Sequence, residues 1–398
     1  MRLRPWRFVL AFGVVSLLTD MVYEGARSIV GPYLATLGAS ATVIGLVAGA
    51  AEFVGYSARL VTGYAVGRTG RYWTWTIAGY ALTVLSVPLI GLTGSLAVAL
   101  LTYAGERVGK AVRSPAKDTL LSFASSTTGR GSAFGVHQAL DSTGAVLGPL
   151  LLTAVLAIRA GDYRLAFGVL LVPGVCALAL LLWLRHRVPD PRDYESEARE
   201  DRPAPAAGGP LPAAFWHYAA LVALLSCGVA PFPLLAYSAL KGAGFGQPEI
   251  PLLFAAAMAV DGLSGLLVGR LYDRRGSRTL LLVPLAAAGS SLALSGSRPV
   301  VWVGIAVWGL VSGVLDSTVK AVVTELVPRD RRALGFGWLS LFRGVGLLLA
   351  GVLLGAAYGR DPALAVGLIV GFSAVALVGL SRLLRAERDD PARSASNG

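Results

Sequence analysis

Cysteine and histidine are nearly absent: the 398 residues include two of the first and three of the second. Cys176 and Cys227 lie in apolar stretches without metal-ligand spacing and read as inert fillers. The histidines are scattered, so no metal cluster is legible. No G-x-x-x-x-G-K-[ST] loop occurs, which argues against ATP-driven work by this chain. No Cys–His, metal or Ser–His–Asp set stands out either, so an embedded enzyme is disfavoured and no cofactor is expected. Charge is scarce as well. Only 15% of the residues are charged, against roughly a quarter in a soluble domain.

What fills the sequence instead is apolar: 55% of residues are hydrophobic and the mean hydropathy is +0.65. Thr74 to Tyr103, Leu165 to Trp183 and Leu280 to Ser297 carry few or no ionisable groups. Each can hold a helical span of about 20 residues, enough to cross a bilayer. The chain reads as an all-α polytopic membrane protein, with lipid as its first partner. Its net charge of +12 is spread over segment ends rather than gathered in a patch, so no nucleic-acid partner is expected. Arginine far outnumbers lysine, and alanine and glycine abound, which fits a GC-rich bacterial genome. The start, MRLRPWRFVLAFGVVSLLTD, has the basic head and apolar body of a signal peptide. No small-residue cleavage site follows, and it reads as an uncleaved first membrane helix.

Apolar runs predict helices near 8–37, 41–66, 73–93, 96–121, 132–158 and 165–184. A second set falls near 214–240, 250–271, 279–297, 299–323, 335–358 and 362–384. Between the sets lies RHRVPDPRDYESEAREDRPAPAAGGPLP, whose proline, glycine and mixed charge make a solvated linker. The expected organisation is a six-helix bundle at 1–184, a linker at 185–213 and a second bundle with a tail at 214–398. Arginine is concentrated in the segments that face one side. That excess places both termini in the cytoplasm and the protein in the bacterial inner membrane.

The halves repeat. GYAVGRTGRY from Gly63 matches GRLYDRRGSR from Gly269, 206 residues later, and Lys117 and Phe134-Gly135 precede Lys320 and Phe336-Gly337 by similar offsets. Parallel repeats of this kind enclose a binding site near the membrane midplane. In the loops, Gly63, Arg68 and Gly70 correspond to Gly269, Arg274 and Gly276, and a further arginine closes each copy, Arg71 in the first and Arg278 one place later in the second. Glycine suits a tight turn, and the arginines suit the inside face. Only the later copy carries an acid, Asp273, where the earlier has Gly67. Pseudo-symmetry sets that loop near the start of the other half's fifth helix, around Arg130 to Ser132. There an aspartate meets free N–H groups and the positive end of the helix dipole. Asp273 thus reads as a latch between the halves, with no counterpart at Gly67.

The later loop resembles that of the major facilitator superfamily, and the resemblance extends over essentially the whole chain. It implies twelve membrane helices in two pseudo-symmetric six-helix bundles. In the fifth helix, Gly135, Gly144 and Gly148-Pro149 show the spacing of that superfamily's antiporter motif, with Leu152 and Thr153 in place of its closing Gly-Gly. The run ERVGKAVRSPAKD from Glu106 is similar to the fourth-helix basic motif. The glycines and Pro149 suit a fifth helix that packs closely, bends or slides. The resemblance also implies that the first, fourth, seventh and tenth helices line the central path.

Ionisable residues inside membrane spans are costly and by default functional. Asp20, Glu24 and Arg27 share a face of the first helix; Glu106, Lys110, Arg113 and Lys117 share one on the fourth; Asp316 and Lys320 lie four apart on the tenth. The seventh helix offers Pro231, Pro233 and Tyr237. A rise of about 1.5 Å per residue puts Asp20 and Glu106 near mid-depth. Two readings stay open: mutual neutralisation, as by an intrahelical Glu106–Lys110 pair, or handling of substrate and protons. The proton-coupling candidates are Asp20, Glu24, Glu106 and the pair His137 and Asp141; a packing role for His137 is an equal alternative. The substrate-binding candidates are Arg27, Lys110, Arg113, Tyr237, Asp316 and Lys320. Glu52, Asp261 and Arg343 are expected to pair across the bundles. The function expected is monomeric, proton-coupled efflux of a small molecule by alternating access. The alternatives are a proton symporter importing a small anionic metabolite and a receptor or assembly protein that has lost transport.

Overall fold

The computed structural model describes residues 3–128, 130–190, 194, 210–327 and 331–388. Their side chains are included except at 125–128, 130–132, 134, 265, 266, 269, 272, 273, 275–278, 316–321, 324, 325, 332, 333 and 384–388. The first six crossings are α1 (Pro5–Thr36), α2 (Ala41–Thr69), α3 (Tyr72–Leu92), α4 (Leu96–Thr128), α5 (Arg130–Ile158) and the pair α6 (Tyr163–Val169) and α7 (Leu171–Arg187). The second six begin with the pair α8 (Ala213–Cys227) and α9 (Phe232–Lys241), followed by α10 (Glu249–Arg275). Then come α11 (Leu282–Ser290), flanked by short 3-10 turns, α12 (Arg298–Leu326), α13 (Arg332–Arg360) and α14 (Pro362–Arg388). The chain is thus a multi-pass membrane protein of twelve crossings in two bundles.

Local chemistry sets several ends. Ser40 accepts from the Val43 N–H at 3.3 Å to cap α2. Gly70, at φ 62°, closes α2 in the left-handed region and allows an immediate turn into α3. Among the described residues nine helical stretches are long and apolar enough to cross a membrane. α4 has 33 residues but is loaded with charge between Glu106 and Lys117, which it buries against other helices rather than showing to lipid.

Three expected single helices are interrupted. The seventh crossing breaks at Gly228–Pro231, because Pro231 cannot continue a helix. The freed carbonyl of Ala230 accepts from Trp308 Nε1 of α12 at 2.8 Å, as backbone at membrane depth requires. The sixth crossing breaks at Leu170, and α11 is short, with the ninth crossing completed by 3-10 turns.

The first bundle is layered. One apolar cluster gathers Val22 to Leu34 of α1 with Ala99 and Tyr103 of α4. Another gathers Phe8 to Val15 of α1 with Leu120, Leu121 and Ala124 of α4. Between these apolar zones, α1 and α4 present their ionisable residues. The bundles meet through α2 against α13, α5 against α10 and α1 against α9.

Candidate functional site

The polar layer is built by α1, α2, α4 and α5. Glu52 of α2 receives two guanidinium groups on one oxygen: Arg27 Nη2 at 3.1 Å and Arg107 Nη1 at 3.4 Å. Arg27 also reaches Glu24 at 3.5 Å, and Arg107 Nε lies 3.2 Å from Glu106. Lys110 Nζ stands 3.9 Å from Glu24. This network spans three helices. The anticipated Glu106–Lys110 pairing gives way to Glu106–Arg107 and Glu24–Lys110, since Lys110 turns toward α1. Glu52 pairs within its own bundle, whereas Arg343 of α13 does cross, lying 5.0 Å from the Tyr56 ring of α2. It also donates to the Leu315 carbonyl at 3.2 Å.

Toward the chain's N-terminal end of the layer, Lys117 Nζ lies 3.8 Å from Asp141 and 3.5 Å from Ser16 Oγ. His137 Nε2 is 3.9 Å from Asp141 and 3.4 Å from Ser16 Oγ, with its ring stacked on Phe12. His137 therefore both packs and touches an acid.

Between the two networks sit Asp20, Tyr23 and Arg113. The Tyr23 hydroxyl donates to Asp20 Oδ2 at 3.1 Å. Lys110 Nζ is 3.8 Å from the Tyr23 ring centroid, and the Arg113 guanidinium 5.3 Å from it and 4.5 Å from that of Tyr80. Asp20 and Arg113 are both buried.

The antiporter-like glycines divide by role. A methyl group at Gly144 or Gly148 would overlap the backbone of Leu17 or Met21 on α1, while Gly135 faces open space. The stretch of α1 bearing Asp20 thus lies directly on α5. Gly67 also faces open space, and Gly63 is in ordinary contact range of Pro115. Arg68 and Arg71 frame the α2–α3 turn. Arg274 is exposed. Gly269, Asp273, Gly276, Arg278, Asp316 and Lys320 lie outside the residues whose side chains are described. Tyr237, on α9, is half-buried and packs against apolar clusters of both halves, with its ring 6.3 Å from Tyr358.

Arg107 was missed in the sequence. It is one position off the face of Glu106, Lys110, Arg113 and Lys117, but it continues the spacing of Tyr103 and Lys110, and its Nη2 donates to the Tyr103 hydroxyl at 3.0 Å. Tyr23 and Tyr80 carried no signal beyond lying beside charged positions.

The family model for the Major Facilitator Superfamily matches residues 12–246 and again 220–398. The chain belongs to the major facilitator superfamily. This superfamily member is 45% identical, over 381 residues, to an uncharacterised protein of Mycobacterium tuberculosis (strain ATCC 25618 / H37Rv), covering 94% of this chain and 92% of that one. It is 31% identical over 113 residues to the class G tetracycline resistance protein of Vibrio anguillarum, covering 27% of this chain and 28% of that one. Its fold is similar to that of a bacterial homologue of the human lysosomal transporter Spinster, solved inward-facing and occupied. The TM-score is 0.69 at 18% identity, with 98% of each chain covered. The family and the fold are those of transporters, which work in a lipid environment on small molecules.

Proposed function

We propose that this protein is a proton-coupled secondary transporter that exports a small molecule by alternating access. The carrying observation is Asp20: a buried acid on α1, flanked by two ion-paired networks, whose one side-chain hydrogen bond among the described residues comes from the Tyr23 hydroxyl. A carboxylate held between burial and nearby cations can load a proton on one side and release it on the other. Asp141 is within electrostatic reach of Asp20, so the proton is shared within the group rather than owned by one residue. Export is supported by the local likeness to a tetracycline resistance protein and by the close α1–α5 packing at Gly144 and Gly148.

In this reading both termini lie in the cytoplasm of a bacterial inner-membrane protein, which works as a monomer. The bundles at 1–184 and 214–398 rock about the site, joined by the linker at 185–213. The end where Gly31 of α1 abuts Pro233 of α9 is the outer gate, closed in this conformation.

The test is flux in proteoliposomes. With an imposed pH gradient, purified protein should drive accumulation of a screened compound, and collapse of the gradient should stop it. A protein that binds compounds but moves none would instead be a receptor or assembly protein, and the proposal would fall.

A further inference from the structure

Around Tyr23 the polar layer holds five acids, Asp20, Glu24, Glu52, Glu106 and Asp141, and five permanent cations, Arg27, Arg107, Lys110, Arg113 and Lys117, while Arg59 of α2 lies apart on the Tyr56 ring and His137 stacks on Phe12. Eight of the ten are ion-paired with one another. The two left over are of opposite sign, Asp20 and Arg113. Among the described residues Asp20 meets no cation within ion-pair distance, and its Oδ1 accepts no hydrogen bond. Among the same described residues Arg113 donates no hydrogen bond, and its Nε is enclosed without a partner. They do not pair with each other, although both touch Tyr23: Asp20 at the hydroxyl, 3.1 Å away, and Arg113 against the ring.

Leaving one buried acid and one buried guanidinium unmatched is costly unless something else completes them. A lone anion would satisfy Arg113 and add negative charge beside Asp20; a lone cation would do the reverse. With these ten groups ionised and His137 neutral their charges cancel, so the ligand that completes both pairs without unbalancing them carries one charge of each sign.

We infer that this transporter's substrate is a zwitterion, whose anionic group pairs with Arg113 and whose cationic group pairs with Asp20 on either side of Tyr23. The inference rests on the proton-coupled export reading and deepens it. Asp20 holds either a proton or the substrate's cationic group, never both, so a proton arriving from outside expels the substrate and exchange follows. Guanidinium suits the anionic end because its fork matches a carboxylate or phosphate in two bonds. The ionisable neighbours of Asp20 are Tyr23 on α1, Lys110, Arg113 and Lys117 on α4 and Asp141 on α5. Of these, only Arg113 has no ion-pair partner among the carboxylates.

The experiment uses full-length protein and matched charge forms of several scaffolds from glycine-sized to tryptophan-sized. Each scaffold is offered as the free amino acid, its methyl ester, its N-acetyl acid and the N-acetyl ester. Thermal stabilisation reads binding, and proteoliposomes read flux. Stabilisation should be confined to the zwitterionic form of each scaffold that responds. Arg113→Gln should weaken it by about tenfold or more, the scale for removing one partner of a buried charge pair. Asp20→Asn should shift preference toward the N-acetyl acid, a swap that a merely structural role would not produce. Should either variant fail to insert, the wild-type ranking of charge forms decides alone. Strongest response to the ester or the acetyl acid, or to no form at all, overturns the inference. If pH-driven flux is found for singly charged compounds, the exporter stands and this inference falls; if flux ignores pH, the exporter reading itself falls.

Discussion

Arg107 heads the fully buried side chains by volume, and it holds Glu52 of α2 and Glu106 of its own helix at once. Arg107→Leu leaves Glu52 with Arg27 but strips Glu106 of its cation. Breaking a buried pair in this way costs about 3–5 kcal/mol in general, so the detergent-solubilised variant should melt well below wild type. Adding Glu106→Leu should recover much of the loss, because the orphaned charge goes with its partner. If the double variant melts no higher than the single one, the pairing is not what Arg107 contributes. Asp20→Asn differs in kind. It removes a buried charge that meets no cation within ion-pair distance among the described residues and keeps an oxygen for the Tyr23 hydroxyl, so insertion and folding should survive. Accumulation driven by a pH gradient should vanish, while exchange persists for the anionic form that this variant prefers. Accumulation at the wild-type rate would pass the carrier role to Glu24, Glu106 or Asp141.

At the scale of one helix, α5 carries three glycines of a motif but uses them differently. Gly148→Ala forces a methyl into the α1 backbone at Met21, whereas Gly135→Ala enters open space. Overpacking of this kind costs about 1–3 kcal/mol. The first change should therefore lower both melting temperature and transport, and the second should change neither; equal effects would mean that α5 tolerates sliding on α1. Motif spacing pointed to both positions and could not separate them, since only the facing helix tells which glycine is pressed. The same limit explains what else was and was not legible. Runs of apolar residues located all twelve crossings, because hydropathy acts along the chain. The break at Gly228–Pro231 lies in an equally apolar run, and the group that satisfies it, Trp308, is 78 residues away. The charged faces of α1 and α4 were legible from helical spacing. The partners were not: Arg27, Glu52 and Arg107 come from three helices, and pairing rules within one helix cannot see across them.

For the whole molecule, function depends on two arrangements of the bundles having similar free energy. In this one the end away from the termini is shut. A Cβ on Gly31 would overlap the Pro233 carbonyl, and Gly45 and Gly49 of α2 meet Gly351 of α13 backbone to backbone. Gly31→Val should wedge that end apart, raising labelling of cysteines introduced near Gly242. A reporter after Arg202 should be cytoplasmic and one near Gly242 external; reversed labelling would overturn the orientation. The opposite arrangement needs its own fastening on the side of the termini, and we propose that Asp273 supplies it. Its partner would be the start of α5, which begins at Arg130, since the first N–H groups of a helix and its dipole favour a negative charge. Asp273→Asn keeps a hydrogen-bonding side chain but loses the charge, an effect of about 0.3–1 kcal/mol. A difference that small shifts populations by a few-fold rather than completely. The variant should therefore favour the inward-open state, slow transport and raise labelling of cytoplasm-facing cysteines near Ser132. Gly67→Asp, which enters open space, should be mild by comparison, because no partner awaits it. Labelling that Asp273→Asn leaves unchanged would mean that the acid among the loop arginines serves topology or solvation instead of the latch.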